Sequence, residues 1–272
     1  MLKAFLDGEL IASSNEVTSS LLVVGLHGWA RNSRDFDSLS EILQAKGVAF
    51  LAPDLPGFGE SPKPAFAWNS QDYANQLDVV LTELTKTKGV SRVVVVGHSF
   101  GGKIAIKLGA FNPGYLQGVV IMGTPLFRDL DSVRKVPLKL RLAKQIARYN
   151  FISAAQLDRI KSNFGSQDYR NATGVMRDVL VRTVNEDFAQ DLEALKLKVR
   201  FIWGELDRAA SVADAKRALG LIGDSSLEII PGGDHFSPLA DQRLIANLAL
   251  EIANYNVESK TDNYHCQEKL VE

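Results

Sequence analysis

Val93-Val94-Val95-Val96-Gly97-His98-Ser99-Phe100-Gly101-Gly102 is the stretch that decides the fold. Four consecutive valines suit a strand covered on both faces, where a continuous apolar run replaces strict alternation. The segment from Phe100 to Phe111 then resumes with helical apolar spacing. A serine between a buried strand and a helix, with glycine two residues before and two after, forms a G-x-S-x-G elbow in its proper setting. The spacing has a physical reason. Ser99 must sit on a tight, strained turn so that its hydroxyl projects from the top of a sheet. Side chains at 97 and 101 would collide across that turn, and Gly97 and Gly101 avoid the collision. The following helix directs its N-terminus at the site, which favours negative charge developing there. Such strings occur by chance in loops; the flanking strand and helix give this one its meaning.

Outward from the elbow, apolar runs at Leu21–Leu26, Val48–Ala52, Leu116–Met122, Val199–Trp203 and Leu227–Ile230 read as further buried strands. Between them, Ser33–Ala45, Ser70–Thr87, Val212–Ile222 and Leu239–Asn254 read as helices. Alternation of strand and helix predicts an α/β chain with a parallel sheet. Phe5 to Ile11, with its Asp7-Gly8 turn, predicts an antiparallel hairpin at the sheet edge. From Thr124 to Lys196 no strong strand run occurs. This interval is helical in pattern, and an insertion of that size predicts a cap over the strand ends. The expected division is a core of residues 1–123 and 197–256, a helical cap of 124–196, and a polar tail of 257–272.

The 272 residues are 46% hydrophobic and 23% charged, ordinary for a globular chain large enough to bury a substantial core. A formal net charge of -1 gives no global reason to expect nucleic acid or an anionic membrane as partner. Cys266 is the single cysteine, which excludes an intrachain disulfide. Asp7, Glu9 and Glu16 interrupt the N-terminal apolar stretches, so no signal peptide is read. No stretch approaches the roughly 20 apolar residues of a spanning helix. The expectation is a cytoplasmic protein.

A serine hydroxyl needs an adjacent base to act as a nucleophile. Of four histidines, His98 flanks Ser99 and is expected to point away from the reacting side, while His265 lies in the polar tail. His27 belongs to His27-Gly28-Trp29 after the first strand, where a loop-fixing role is expected. His235 remains, in Gly232-Gly233-Asp234-His235-Phe236 beyond the Leu227–Ile230 strand. The acid that orients it should precede it in the chain. Asp207 in Trp203-Gly204-Glu205-Leu206-Asp207 is preferred for its place past a strand end; Glu205, Asp234 and Asp224 are the competitors. Acyl transfer also needs two donors aimed at the oxyanion. The backbone N–H of Phe100 and that of Trp29 are the candidates, with Gly28 permitting close backbone approach.

Taken together, these motifs resemble the α/β-hydrolase superfamily across nearly the whole chain. The resemblance rests on His27-Gly28-Trp29, Pro53-Asp54-Leu55-Pro56-Gly57-Phe58-Gly59-Glu60-Ser61, the Gly97–Gly101 elbow, Asp207 and His235. It implies a mostly parallel eight-stranded sheet flanked by helices, with a helical cap insertion. The pattern is similar to the branch of small esterases, carbon–carbon bond hydrolases of aromatic degradation, and pimeloyl-carrier-protein methyl esterases. Serine at position 99, where other branches carry aspartate, argues against epoxide hydrolases and haloalkane dehalogenases.

These residues predict a serine hydrolase acting on a small or medium ester or acyl substrate, with Ser99, Asp207 and His235 as triad and neither metal nor organic cofactor. The resemblance leaves open cleavage of a dienoate ring-fission product. The chemistry also admits a ligand sensor that turns over slowly. Between Arg128 and Arg148, seven basic residues face only two acids, Asp129 and Asp131. Arg141, Lys144 and Arg148 would share one helical face. This face is either the solvated outside of a cap helix or a docking face for an acidic carrier protein. Phe127, Phe151, Phe164 and Val175 are expected chiefly to fill the cap's own core. The sequence does not define an oligomeric state.

Overall fold

Successive residues of a strand point to opposite faces, and the central strands of this chain place an apolar side chain on each. In the computed structural model, which describes residues 11–14, 19–128, 153, 156 and 166–255, β2 (Leu21–Leu26) sends Leu22, Val24 and Leu26 to one core layer and Leu21 and Val23 to the other. In β4 (Arg92–His98), Val93 and Val95 face the first layer, Val94 and Val96 the second. β5 (Leu116–Met122) repeats the division with Val119 and Ile121 against Val120 and Met122. This two-sided burial is why the sequence shows continuous valine runs.

The described strands form one seven-stranded sheet in the order β1-β3-β2-β4-β5-β6-β7. β3 (Ala49–Asp54), β6 (Lys198–Gly204) and β7 (Ser225–Ile230) complete its parallel part. β1 (Ile11–Ser14) pairs antiparallel with β3 at the edge. The rest of the expected hairpin, and any eighth strand it supplies, lies outside the described residues. After β3 the chain crosses β2 to form β4 on its far side, so strand order reverses between β2 and β4. Ligands in open α/β sheets bind outside the strand ends at such a reversal. Here it places His27-Gly28-Trp29 beside Ser99.

Helices cover both faces. α1 (Asp37–Ala45) meets the layer containing Leu21 and Val23. α2 (Ser70–Thr87) starts at a capping box, in which the Asn69 side chain accepts from Asp72 N–H and Asp72 answers to the Asn69 N–H. It buries Tyr73, Ala74, Leu77 and Leu81 on the opposite layer, beside α3 (Phe100–Ala110). Between β5 and β6 the described residues contain α4 (Gln167–Asn171), α5 (Gly174–Thr183) and α6 (Ala189–Ala194), and no strand. α7 (Val212–Leu219) follows β6. Among the described residues no helix is long and apolar enough to cross a membrane.

Three expectations change in detail. Ser33–Ala45 is not one helix: Ser33–Phe36 is a 3-10 turn capped by Asn32, and α1 follows it. Leu239–Asn254 divides at Asp241, where α8 (Ser237–Ala240) ends; the Asp241 side chain then accepts from Leu244 N–H and starts α9 (Gln242–Ile252). β7 is a half-exposed strand rather than a buried one, because only β6 borders it. The tail and the segment carrying Arg141, Lys144, Arg148, Phe151 and Phe164 lie outside the described residues. Phe127 packs on the main core with the Arg217 guanidinium 3.9 Å from its ring centre.

Candidate active site

The turn after β4 is strained where the sequence requires it. Ser99 has φ 52° and ψ -107°, a left-handed backbone that a non-glycine residue rarely adopts. A Cβ at Gly97 would lie 2.6 Å from the Gly101 carbonyl oxygen, and one at Gly101 only 2.0 Å from that of Leu26. Backbone cannot yield as a flexible side chain can. Gly101→Ala is therefore expected to destabilise the fold by about 3 kcal/mol or more. Gly114→Ala, where an added Cβ meets nothing within 4 Å, should be near neutral. Chemical denaturation of both variants checks the contrast.

The loops after β6 and β7 meet because glycine lets their backbones touch. A Cβ on Gly204 would fall 2.1 Å from the Asp234 carbonyl oxygen. Leu206 N–H donates to the Gly233 carbonyl at 2.7 Å, and Glu205 N–H to that of Ile230 at 3.0 Å. The buried Trp203 indole N–H donates to the Ala210 carbonyl at 2.9 Å and closes the first loop. This brings Asp207 Oδ2 within 2.8 Å of His235 Nδ1. Asp207 Oδ1 accepts from the N–H groups of Ala209 at 2.7 Å and Ala210 at 2.9 Å. Burial alone would raise the Asp207 pKa; the bond from His235 and those from Ala210 and Ala209 outweigh it and hold the carboxyl below its ordinary range. A carboxylate only accepts, so His235 carries its proton on Nδ1 and leaves Nε2 free.

The competing acids are engaged elsewhere. Glu205 accepts from Gly232 N–H, Asp224 pairs with Arg200, and Asp234 caps its own turn through Phe236 and Ser237.

His235 and Ser99 line one cavity of about 280 Å³, together with Gly28, Trp29 and Phe100. No hydrogen bond joins Ser99 Oγ to His235 among the described residues; such bonds are often long before substrate binds. Phe100 N–H opens α3 and has no acceptor within the helix. Trp29 packs edge-on against Phe58 and Phe100 at 4.8 and 5.6 Å, which fixes the backbone of its turn. His27 holds that turn in place. Its Nδ1 bonds the Gly28 carbonyl at 2.8 Å and its Nε2 accepts from Leu55 N–H at 3.0 Å, while burial lowers its pKa. Asp54 braces the neighbouring loop by accepting from Ser33 and Glu60 N–H.

His98 does not point away from the site as the sequence reading expected. Its buried ring packs 5.0 Å from that of His235, with Nε2 2.9 Å from the His235 carbonyl oxygen, and the residue borders the same cavity. Other walls come from Lys103, Pro125, Asp168, Leu180, Val184 and Phe236. Of these, Phe236 adjoins His235 in its motif, and Lys103 stands one helical turn beyond Ser99. The Lys103 ammonium donates to the Thr183 carbonyl at 2.7 Å and so caps the end of α5. Burial pushes Lys103 down to about 8, with Glu186 opposing only in part. The unfolded chain retains this proton to higher pH than the folded one. Stability relative to Lys103→Met should therefore rise between pH about 8 and the ordinary lysine value, by on the order of 1–3 kcal/mol. Urea titrations across that range check it.

Among the described residues, no three His, Cys, Asp or Glu side chains gather into a group able to hold a metal ion.

A parallel sheet with a glycine-framed serine turn after β4, and an Asp–His pair after β6 and β7, has the layout of an α/β hydrolase. The chain belongs to the alpha/beta hydrolase family, whose sequence model matches residues 23–248. It is 22% identical over 249 residues to 2-(acetamidomethylene)succinate hydrolase of Mesorhizobium japonicum, a match covering 84% of this chain and 86% of that protein. It is 34% identical over 114 residues to a lipase of Mycobacterium tuberculosis, covering 42% of this chain and 41% of the lipase. An esterase structure from Exiguobacterium antarcticum superposes with a TM-score of 0.65 at 17% identity, covering 90% of this chain and 95% of that one, a likeness in fold alone.

Proposed function

We propose that this protein is a serine hydrolase that cleaves a small or medium carboxylic ester through an acyl-enzyme. One observation carries the reading: a His235 imidazole held through Nδ1 by buried Asp207, on the wall of the cavity that Ser99 also lines. Ser99 Oγ attacks the ester carbonyl while His235 Nε2 takes its proton. The N–H groups of Trp29 and Phe100 hold the tetrahedral oxyanion. His235 returns the proton to the departing alcohol, and the acyl group stays on Ser99. A water then gives its proton to His235 and attacks the acyl carbon. Collapse releases the carboxylic acid and restores the Ser99 hydroxyl. Pro125, Asp168, Leu180, Thr183 and Val184, from the interval expected to form a cap, line the cavity and shape the acyl pocket. The hydrolase and lipase relatives agree with hydrolysis as the reaction class.

The cavity is near the lower end of the roughly 300–1,000 Å³ typical of small-molecule sites. Short acyl groups therefore fit better than long ones. With p-nitrophenyl esters from acetate to octanoate, kcat/KM is expected to be highest at acetate to butyrate and to fall by about tenfold or more by octanoate. A rise toward octanoate would contradict the short-acyl assignment, and inactivity on the whole series would contradict ester hydrolysis.

A further inference from the structure

His98 is a buried, chemically capable side chain that the mechanism above leaves unused. It is 1% exposed, and its ring centre lies 5.0 Å from that of His235 and 5.6 Å from that of Phe236. Its Nε2 stands 2.9 Å from the backbone carbonyl oxygen of His235. A carbonyl only accepts, so the proton of His98 sits on Nε2. The opposite nitrogen, Nδ1, is buried without a hydrogen-bond partner and faces Gly28, where an added Cβ would lie 3.0 Å away.

We propose that His98 is a positioning residue, whose Nε2–H holds the backbone carbonyl of His235 and thereby sets where the His235 imidazole stands over Ser99. The inference rests on the serine-hydrolase reading and adds a role that reading does not contain. Asp207 fixes one end of the His235 side chain, but an imidazole can still swing if its backbone moves. The bond from His98 ties that backbone to the residue next to the nucleophile, so base and nucleophile move together. The orphaned Nδ1 supports the same conclusion. A leucine would fill the space without burying an unpaired acceptor, and what it lacks is the donor toward residue 235. Burial lowers the His98 pKa to about 4, outweighing the opposing effects of the His235 carbonyl bond and Asp35; His235 and Arg31 lower it further. The ring is thus neutral, with one donor, in neutral solution.

The test compares His98→Leu, His98→Asn and His98→Gln with wild type on p-nitrophenyl acetate. It also follows the far-downfield proton NMR signal of the Nδ1–H between His235 and Asp207. A glutamine amide reaches about as far as imidazole Nε2, whereas an asparagine amide is too short. Leu and Asn are expected to lower kcat roughly 10- to 100-fold with KM within about twofold, and to broaden or shift the NMR signal. Gln should recover most of kcat and the wild-type signal. A Leu or Asn variant within twofold of wild-type kcat, or a Gln variant as impaired as Asn, overturns the proposal. If Leu does not fold, the Asn–Gln pair decides. The NMR comparison is independent of turnover: an unchanged signal in Asn overturns the positioning role, whereas an inert wild type overturns the hydrolase reading.

Discussion

Ser99→Ala is expected to lower kcat for p-nitrophenyl acetate by about 10⁴-fold or more while leaving the fold intact. The substitution removes the atom that would form the acyl bond. The remaining rate would come from cavity binding and from the N–H groups of Trp29 and Phe100, which the change does not touch. Ser99 Oγ has no hydrogen bond among the described residues, so deleting it strands no buried partner. Alanine also keeps a Cβ at the strained backbone φ of 52°. Stability is therefore expected to stay within about 1 kcal/mol of wild type. Paired steady-state kinetics and urea denaturation separate the lost nucleophile from a damaged fold.

Asp207→Asn is expected to cost about 10⁴-fold in kcat for a different reason. The asparagine carbonyl can keep accepting from Ala209 and Ala210, so its amide nitrogen is left facing His235 Nδ1. That nitrogen donates where the carboxylate accepted. The imidazole must then present a lone pair at Nδ1 and carry its proton on Nε2, where it cannot take one from Ser99. The stability effect has a definite pH sign. The folded Asp207 pKa lies below its ordinary value, so its stabilising contribution is complete above the usual carboxylate range and is lost as pH falls through the folded value. The stability of wild type over Asp207→Asn should shrink under acid, which urea titrations from neutral pH downward measure.

The sequence was most legible where one local constraint dictates a residue. Continuous valines at 93–96 require cover on both sheet faces, and both core layers provide it. Gly97 and Gly101 are required by backbone within 3 Å of any side chain there. Asp207 and His235 were readable because each follows a strand, and adjacent parallel strands bring their ends together. What depends on packing between distant segments was not readable. Nothing in the local pattern around His98 says that its ring turns toward a carbonyl 137 residues away. Leu180 and Thr183 reach the cavity from α5 and Val184 from just past its end, and the placement of α5 on α3 depends on contacts such as that of Lys103 with Thr183. The split at Asp241 was missed because the apolar spacing continues across it while the aspartate side chain caps a new helix. The weak burial of β7 follows from its edge position, which its Leu-Glu-Ile-Ile composition does not encode.

The claim on which the account depends is that Ser99 is the nucleophile. A fluorophosphonate probe tests it directly, because it bonds only to a serine made reactive by its surroundings. After incubation with wild type, Ser99→Ala and Asp207→Asn, digestion and mass spectrometry locate the adduct. One phosphonylated site at Ser99 is expected in wild type, with greatly slowed labelling in Asp207→Asn and none in Ser99→Ala. An adduct on another residue that persists in Ser99→Ala, with ester turnover undiminished in that variant, would contradict it.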